Sequence, residues 1–396
     1  MSFTIHYAVI QFCFWFLYGT AVNFASVYLL ACGLSNTAFG AVSALASLLA
    51  VLIQPLLAAR IDRKGRLTVR GLLRGSSLLL IGFGLLLIPS YGLRPMRNAV
   101  LLGSAILLAQ LMLPFVNALA TQAINRGEKL NFSASRGIGS IGYAVMSFTV
   151  GRFTARYGAG ITPVVITVVS FLLLLACTFF PKEGSVTAGS ESVRMTEQRS
   201  FLDFLRDYRS FMLTLVGCVF LYVSHVLINS FLYQIVVYKG GTSAHMGVVM
   251  GLAGLLEVSA MFGYSLLLRW MKNGFWFRLA GVFFTLKALS TGLAGSMGAL
   301  YAVQLLQPLG WGLMAVSCVY FADSAVHDRD KVKGQAFMAM ALSVGTIIGT
   351  LIGGWLIDHF GVPGMLSAAV ASGALGCLIV CFGSRTLEKR QTRDAA

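Results

Sequence analysis

Long apolar runs follow one another along this chain, and short polar links part them. Each run reaches the length of about 20 residues that a helix needs to cross the hydrocarbon core of a bilayer. The pattern predicts helices over about Ile5–Leu30, Asn36–Arg60, Leu67–Ile88 and Asn98–Ile124. A fifth covers the glycine-rich stretch Arg136–Gly158 and a sixth Ile161–Phe180. The pattern lapses over Pro181–Arg209, whose Gly, Ser, Thr, Glu and Arg read as a linker. Within it, "FLDFLRDYRSF" has the spacing of a short amphipathic helix on the membrane surface. Six further helices follow at about Phe211–Tyr238, Met246–Met271, Trp276–Gly295, Ala299–Phe321, Gln335–Ile357 and Pro363–Gly383. The chain therefore divides into a six-helix half at 1–180, a cytoplasmic linker at 181–209 and a second six-helix half with a short basic tail at 210–396.

The two halves echo each other. Gly142–Gly158 reads "GYAVMSFTVGRFTARYG" and Gly345–Gly361 reads "GTIIGTLIGGWLIDHFG", so that Gly142, Gly151, Tyr157 and Gly158 align with Gly345, Gly354, Phe360 and Gly361. A weaker echo joins Ser35–Val42, "SNTAFGAV", to Thr242–Val249, "TSAHMGVV". Both are displaced by half the chain and run in the same order, the mark of parallel repeats related by an axis along the membrane normal.

Composition agrees with a membrane protein and excludes a soluble one. Hydrophobic residues make up 57% and charged residues 11%, the latter far below the roughly 25% of soluble domains. Ile5–Leu30 lacks a basic leader and is too long for a signal h-region, so it is expected to stay as the first helix. The 7 cysteines all lie in apolar runs, without CxxC or His-rich spacing, so neither a metal site nor a disulfide framework is expected. The net charge of +16 raises nucleic-acid binding as a reading, but that needs basic faces on a soluble fold. Here Lys and Arg gather in alternate links, which is topology by the positive-inside rule. The richer side holds Arg60–Arg66, Arg126, Lys129, the linker, Arg269, Lys272, Arg329–Lys333 and the tail. This side is read as the inside, with both termini cytoplasmic in a plasma membrane of bacterial inner-membrane type.

Ionisable groups within membrane helices are expensive, so each is a functional candidate. Glu257 is the acid set inside an apolar run, and Lys287 lies in the same half. A proton on Glu257 can be traded for substrate or for an ion pair, or the two residues form a static pair that fixes packing. Arg136 has a planar donor fork suited to hydroxyls or a carboxylate; it can also pair with Glu257 or reach shallowly to headgroups. His225 is a candidate proton relay or a hydrogen-bonded packing residue. Asn229, Gln234, Gln304 and Gln307 supply neutral donors and acceptors, and Trp311, Tyr143, Trp15 and Tyr18 supply faces on which a sugar or aromatic ligand can stack; amides and aromatics also serve as ordinary helix packing. There is no GxxxxGK[ST] phosphate loop and no nucleophile cluster, so no cofactor and no enzyme activity is expected.

The link after the second helix, "RIDRKGR", together with the two halves and the central linker, resembles the major facilitator superfamily. Ala58, Asp62, Arg63, Gly65 and Arg66 stand in the places of that family's link motif, which implies a cytoplasmic gate latched by these residues. The segments "PFVNALA" and "NFSASRGIGSIGYA" resemble the oligosaccharide–proton symporters, the lactose and sucrose permease group. That resemblance implies that Arg136 is the sugar-binding arginine and Tyr143 the aromatic that stacks on the sugar, and it puts Lys287 where the group has an arginine. The chain departs from the group at Asn117, which replaces the acidic partner of that arginine, and at Gln307 and Gly310, which replace a histidine and the proton-carrying glutamate. Gly254 holds a position that is glutamate in the group, and Glu257 lies one turn on. The stretch "GLLEVSAMF" also resembles sugar-efflux members.

The expectation is an all-α membrane protein of the major facilitator fold, with twelve transmembrane helices in two parallel pseudo-symmetric halves. Its expected work is proton-coupled alternating access for a sugar or other small polar solute, as a monomer in the lipid bilayer. Arg136, Tyr143, Asn117, Lys287, Gln304, Gln307 and Trp311 are the expected substrate contacts, and Glu257 and His225 the proton carriers. The alternatives are a proton-antiport exporter of sugars or drugs and a membrane sensor that has lost transport.

Overall fold

A peptide group in hydrocarbon has no water to bond, so an apolar run must satisfy its backbone internally as a helix. The computed structural model describes residues 3–62, 67–180, 204 and 206–394, and among them it contains twelve membrane helices and no strand. These are α1 (Phe3–Ala31), α2 (Asn36–Asp62), α3 (Val69–Leu87), α4 (Pro95–Asn125), α5 (Phe132–Tyr157) and α6 (Ile161–Phe179). In the second half α7 runs over Arg209–Asn229 and resumes at Leu232–Tyr238, followed by α8 (Ser243–Leu267), α9 (Asn273–Leu293) and α10 (Met297–Ala325). One long helical segment ends the chain; Gly361, at φ +68°, divides it into α11 (331–360) and α12 (362–394). Nine stretches, with α11 and α12 taken as one, are apolar and long enough to span by composition alone. Glycine and charged residues dilute α5 and α9 below that level.

Helix starts follow the sequence. Thr68, Asn131 and Ser296 cap α3, α5 and α10 by accepting from the N–H of Gly71, Ala134 and Ala299 at 2.9, 3.0 and 3.2 Å. Three helices that the apolar pattern predicts as continuous are broken. α1 passes through a widened turn at Gly19–Asn23 and a kink at Phe24, α7 kinks at Ser230–Phe231, and α10 passes through a tight turn at Gln304–Leu306 and a wide one at Pro308–Gly312. Pro308 lacks an N–H and so opens the ladder in α10. An apolar run long enough to span does not itself show where the helical ladder breaks.

The repeat is carried into three dimensions. The displacement that relates Ser35–Val42 to Thr242–Val249 also carries the kink at Phe24 onto Phe231 and the left-handed Gly33 onto Gly240. The aligned glycines of α5 and α11 do the same work in each half. A Cβ on Gly142 would meet Phe12 O at 2.6 Å, and one on Gly345 would meet Val219 O at 3.1 Å. Gly158 and Gly361 both take positive φ, +81° and +68°, where each helix ends. Small residues let membrane helices approach until their backbones touch, which replaces the missing hydrophobic drive.

The contacts gather the described residues into two units. The first takes those within Met1–Val186, Ser230–Leu255 and Thr350–His359; the second takes those within Thr187–Asn229, Leu256–Gly349 and Phe360–Ala396. In the first unit the two repeated sequences meet crosswise. Gly40 of α2 lies against Thr350 O and Gly354 of α11, and Gly247 of α8 lies against Ser147 O and Gly151 of α5. In the second unit a core of Phe211, Phe277, Phe321 and Leu313 also takes in Phe204. Phe204 stacks on Phe337 at 5.0 Å, and Tyr208 donates to Asp330 Oδ2 at 2.9 Å. Of "FLDFLRDYRSF", Phe204 thus packs on α11 and Tyr208 on the α10–α11 link. The rest of the expected linker, 181–203 and 205, lies outside the described residues.

Gly247→Leu is expected to lower the thermal unfolding midpoint in detergent by the equivalent of about 1–3 kcal/mol, since its neighbour is backbone that cannot rotate away. Gly75→Ala, where a Cβ meets nothing within 4 Å, is expected to leave the midpoint level or raise it slightly.

Candidate functional site

The second unit brings six of the nominated residues together. Lys287 on α9 is 6% exposed and Gln307 in the break of α10 is 4% exposed. The Lys287 ammonium donates to Gln307 Oε1, and Gln307 Nε2 donates to Glu257 Oε2 on α8 at 3.4 Å. A neutral amide therefore stands between the cation and the anion, and one side chain ties α8, α9 and α10. The break in α10 makes this possible: Gln307 opens the wide turn, which closes with Gly312 N–H on Gln307 O at 3.1 Å. Gly312 lets the helix come close to α8, with Glu257 O only 3.2 Å from where a Cβ would sit.

Beside this bridge lies an aromatic stack. The His225 ring on α7 is parallel to the Trp311 indole, with centroids 4.4 Å apart and planes at 9°. Phe284 lies 5.3 Å from His225, and Asn229 Nδ2 donates to the His225 carbonyl at 2.8 Å with its amide against the ring. Gln304 is buried, but its amide donates to Leu300 O at 3.0 Å and so serves its own helix.

The first unit holds the other three. Arg136 on α5 lies 4.2 Å over the Trp15 ring and donates to Ser140 Oγ at 3.4 Å. Such a cation–π contact is worth about 0.5–2 kcal/mol, the more so when desolvated. Trp15 is fixed in turn: its Nε1 donates to Gln11 Oε1 at 3.0 Å, Gln11 Nε2 donates to Tyr7 OH at 2.5 Å, and Tyr7 OH donates to Val116 O at 3.1 Å. Tyr143 accepts at its hydroxyl from Asn23 Nδ2 at 2.9 Å. Its ring fills the space beside Gly254, where a Cβ would come within 3.1 Å. Asn117 is half-buried on α4, and its carbonyl accepts from Thr121 at 3.3 Å. Of the expected cytoplasmic gate, Asp62 ends α2 but its side chain, with Arg63, Gly65 and Arg66, lies outside the described residues.

Asn23 and Gln11 were not among the nominated contacts, and Trp15 was named only as a face for stacking. A signal was present: Tyr7, Gln11 and Trp15 repeat every four residues on an otherwise apolar helix, which sets them on one face. Asn23 is an amide in an apolar run, but its partner Tyr143, 120 residues away, is not legible from the sequence.

A family model of the MFS_1 like family matches residues 4–367. The multidrug resistance protein Stp of Mycobacterium tuberculosis is 26% identical over 120 residues, 30% of this chain, and the match spans 22% of that relative's length. Among solved structures, the nucleoside transporter NupG superposes with a TM-score of 0.80 at 14% identity, covering 98% of this chain and 100% of that one. A D-xylose–proton symporter superposes with a TM-score of 0.68 at 13% identity, covering 95% and 96%.

The bridge has a measurable energetic signature. Gln307→Leu removes the acceptor of a buried ammonium and is expected to cost about 1.5–3 kcal/mol of stability. Adding Lys287→Met to it should recover part of that loss, the ammonium being gone while Glu257 still lacks the Gln307 donor, a non-additivity read from unfolding midpoints of the two single variants and the double.

With the all-helical fold, the broken α1, α7 and α10, the pseudo-symmetric repeat and a family match over almost its whole length, this chain belongs to the MFS_1-like family of multi-pass membrane transporters of the major facilitator superfamily.

Proposed function

We propose that this protein moves a sugar or similar small polar solute by proton-coupled alternating access. The observation that carries the reading is the Glu257–Gln307–Lys287 bridge within three membrane helices. Buried charges in hydrocarbon are costly and persist where they are used. An amide between them keeps both ionised groups from collapsing into a tight ion pair, so a proton or a solute hydroxyl can displace one arm without unmaking the other. Trp311, held flat by His225, and Tyr143, held by Asn23, offer faces for a sugar ring. Arg136 offers a fork of donors, and Asn117 a neutral amide. Gln304 contributes shape rather than a contact, since its amide serves its own helix.

In this reading the six-helix halves 1–180 and 210–396 rock about a midplane site as a monomer, with linker 181–209 and the Asp62–Arg66 link on the cytoplasmic side. Both termini then face the cytoplasm of a bacterium, following the charge of the links. A second reading, proton-driven export of sugars or drugs, draws on the partial likeness to a protein named for multidrug resistance.

The test is proton movement in proteoliposomes with an internal pH dye, against sugars, nucleosides, organic acids and cationic drugs. Solute-dependent proton flux is expected in the intact protein and should vanish in Glu257→Gln. Solute flux without proton flux, unchanged by that substitution, would sink the coupling. Proton movement opposite to the solute would favour export.

A further inference from the structure

At one end of the first unit, the α2 N-terminus is completed by a side chain from another helix. Asp358, near the end of α11, accepts through Oδ1 from the N–H of Asn36 at 3.2 Å and from Asn36 Nδ2 at 2.8 Å. Its Oδ2 accepts from the N–H of Thr37 at 2.7 Å and from Thr37 Oγ1 at 2.6 Å. The next N–H, of Ala38, is taken by Ser35 Oγ at 3.1 Å, and that of Phe39 by Ser35 O at 3.1 Å. The donors that a helix start leaves open are thus all satisfied, two of them by a carboxylate 321 and 322 residues away. A negative charge at this place also meets the positive end of the helix dipole. α7 joins the same cluster, since Gln234 Nε2 donates to Asn36 Oδ1 at 3.0 Å.

The repeat supplies an internal control. Its counterpart contact is between α8 and α5, and there Ala155 stands where Asp358 does, while Ser243 and Ala244 stand for Asn36 and Thr37. Both contacts have a glycine pressed on a carbonyl, Gly40 on Thr350 and Gly247 on Ser147. The α8–α5 contact adds a neutral bond from Ser243 Oγ to Gly151 O at 3.2 Å. Packing that both pairs share cannot be the reason for a carboxylate that only one pair has.

We infer that Asp358 is a reversible latch that holds α11 on the start of α2 and keeps this end of the transporter shut. The inference rests on the alternating-access reading. Asp358 is exposed, so water can receive both the carboxylate and the freed N–H groups when the helices part. A buried pair would resist opening; this one can exchange partners once per cycle. By the charge of the links this end faces outward, so unlatching admits solute from outside.

Ser43 lies on the same stripe of α2 as Asn36 and Gly40 and is buried. With Ser43→Cys as a reporter, labelling by a membrane-impermeant maleimide is followed in right-side-out and inside-out vesicles, against the chain that keeps Ser43. Asp358→Asn puts an amide nitrogen where Oδ2 now accepts from the Thr37 N–H, so it should raise the rate from outside about tenfold, the population shift for one lost charge-assisted hydrogen bond. Thr37→Val, which keeps the carboxylate and removes one donor, should raise it less, and it replaces Asp358→Asn if that variant does not elute as folded protein. Unchanged labelling in folded variants would overturn the latch. Faster labelling only in inside-out vesicles would uphold the latch and overturn the proposed orientation.

Discussion

In hydrocarbon every peptide N–H and C=O must be paired inside the protein, and the rest of this structure follows from that demand. It turns every apolar run into a helix. It also makes each interruption costly, so interruptions occur only where other groups take over. In α10 the buried amide of Gln304 bonds back to Leu300 O while Gly312 N–H reaches Gln307 O. At the start of α2 a carboxylate from α11 takes the open donors. The breaks in α1 and α7 fall at equivalent positions, Phe24 and Phe231, so they belong to the repeat and are not local accidents.

The second demand is cohesion without a hydrophobic drive, since a lipid tail is as apolar as a leucine. Backbone-to-backbone approach answers it. Gly142 against Phe12, Gly345 against Val219, Gly151 against Ser243 and Gly354 against Asn36 are the points where a methyl group would not fit. These glycines are also what makes the repeat visible in the sequence. The faint internal likeness therefore marks positions where a Cβ is forbidden, by a helix contact as at Gly142 and Gly345 or by a positive φ as at Gly158 and Gly361.

The fold was legible because apolar length and the glycine repeat are direct consequences of the membrane. Twelve spans and their order could be read; the breaks could not, since hydropathy measures oil and not hydrogen-bond continuity. Of the nominated residues, Glu257, Lys287 and Gln307 were found because a charge or amide in an apolar run stands out, and they do meet. Their arrangement was hidden, because Gln307 reaches both neighbours only through the wide turn opened at Pro308. Asp358 escaped notice for the opposite reason: at the end of a span a carboxylate is ordinary, and only the distant start of α2 gives it meaning.

In each unit one charged side chain lies against a neutral group. Lys287 rests on an amide, and Arg136 rests on an indole that is itself fixed by an amide and a phenol. An ion pair sealed in hydrocarbon would cost several kcal/mol to separate once its partner moved. Neutral holders lower that cost, because the group left behind is a dipole and not an uncompensated charge. Where a charged side chain is held by an amide or an indole, parting the two leaves one charge to be solvated again and not two.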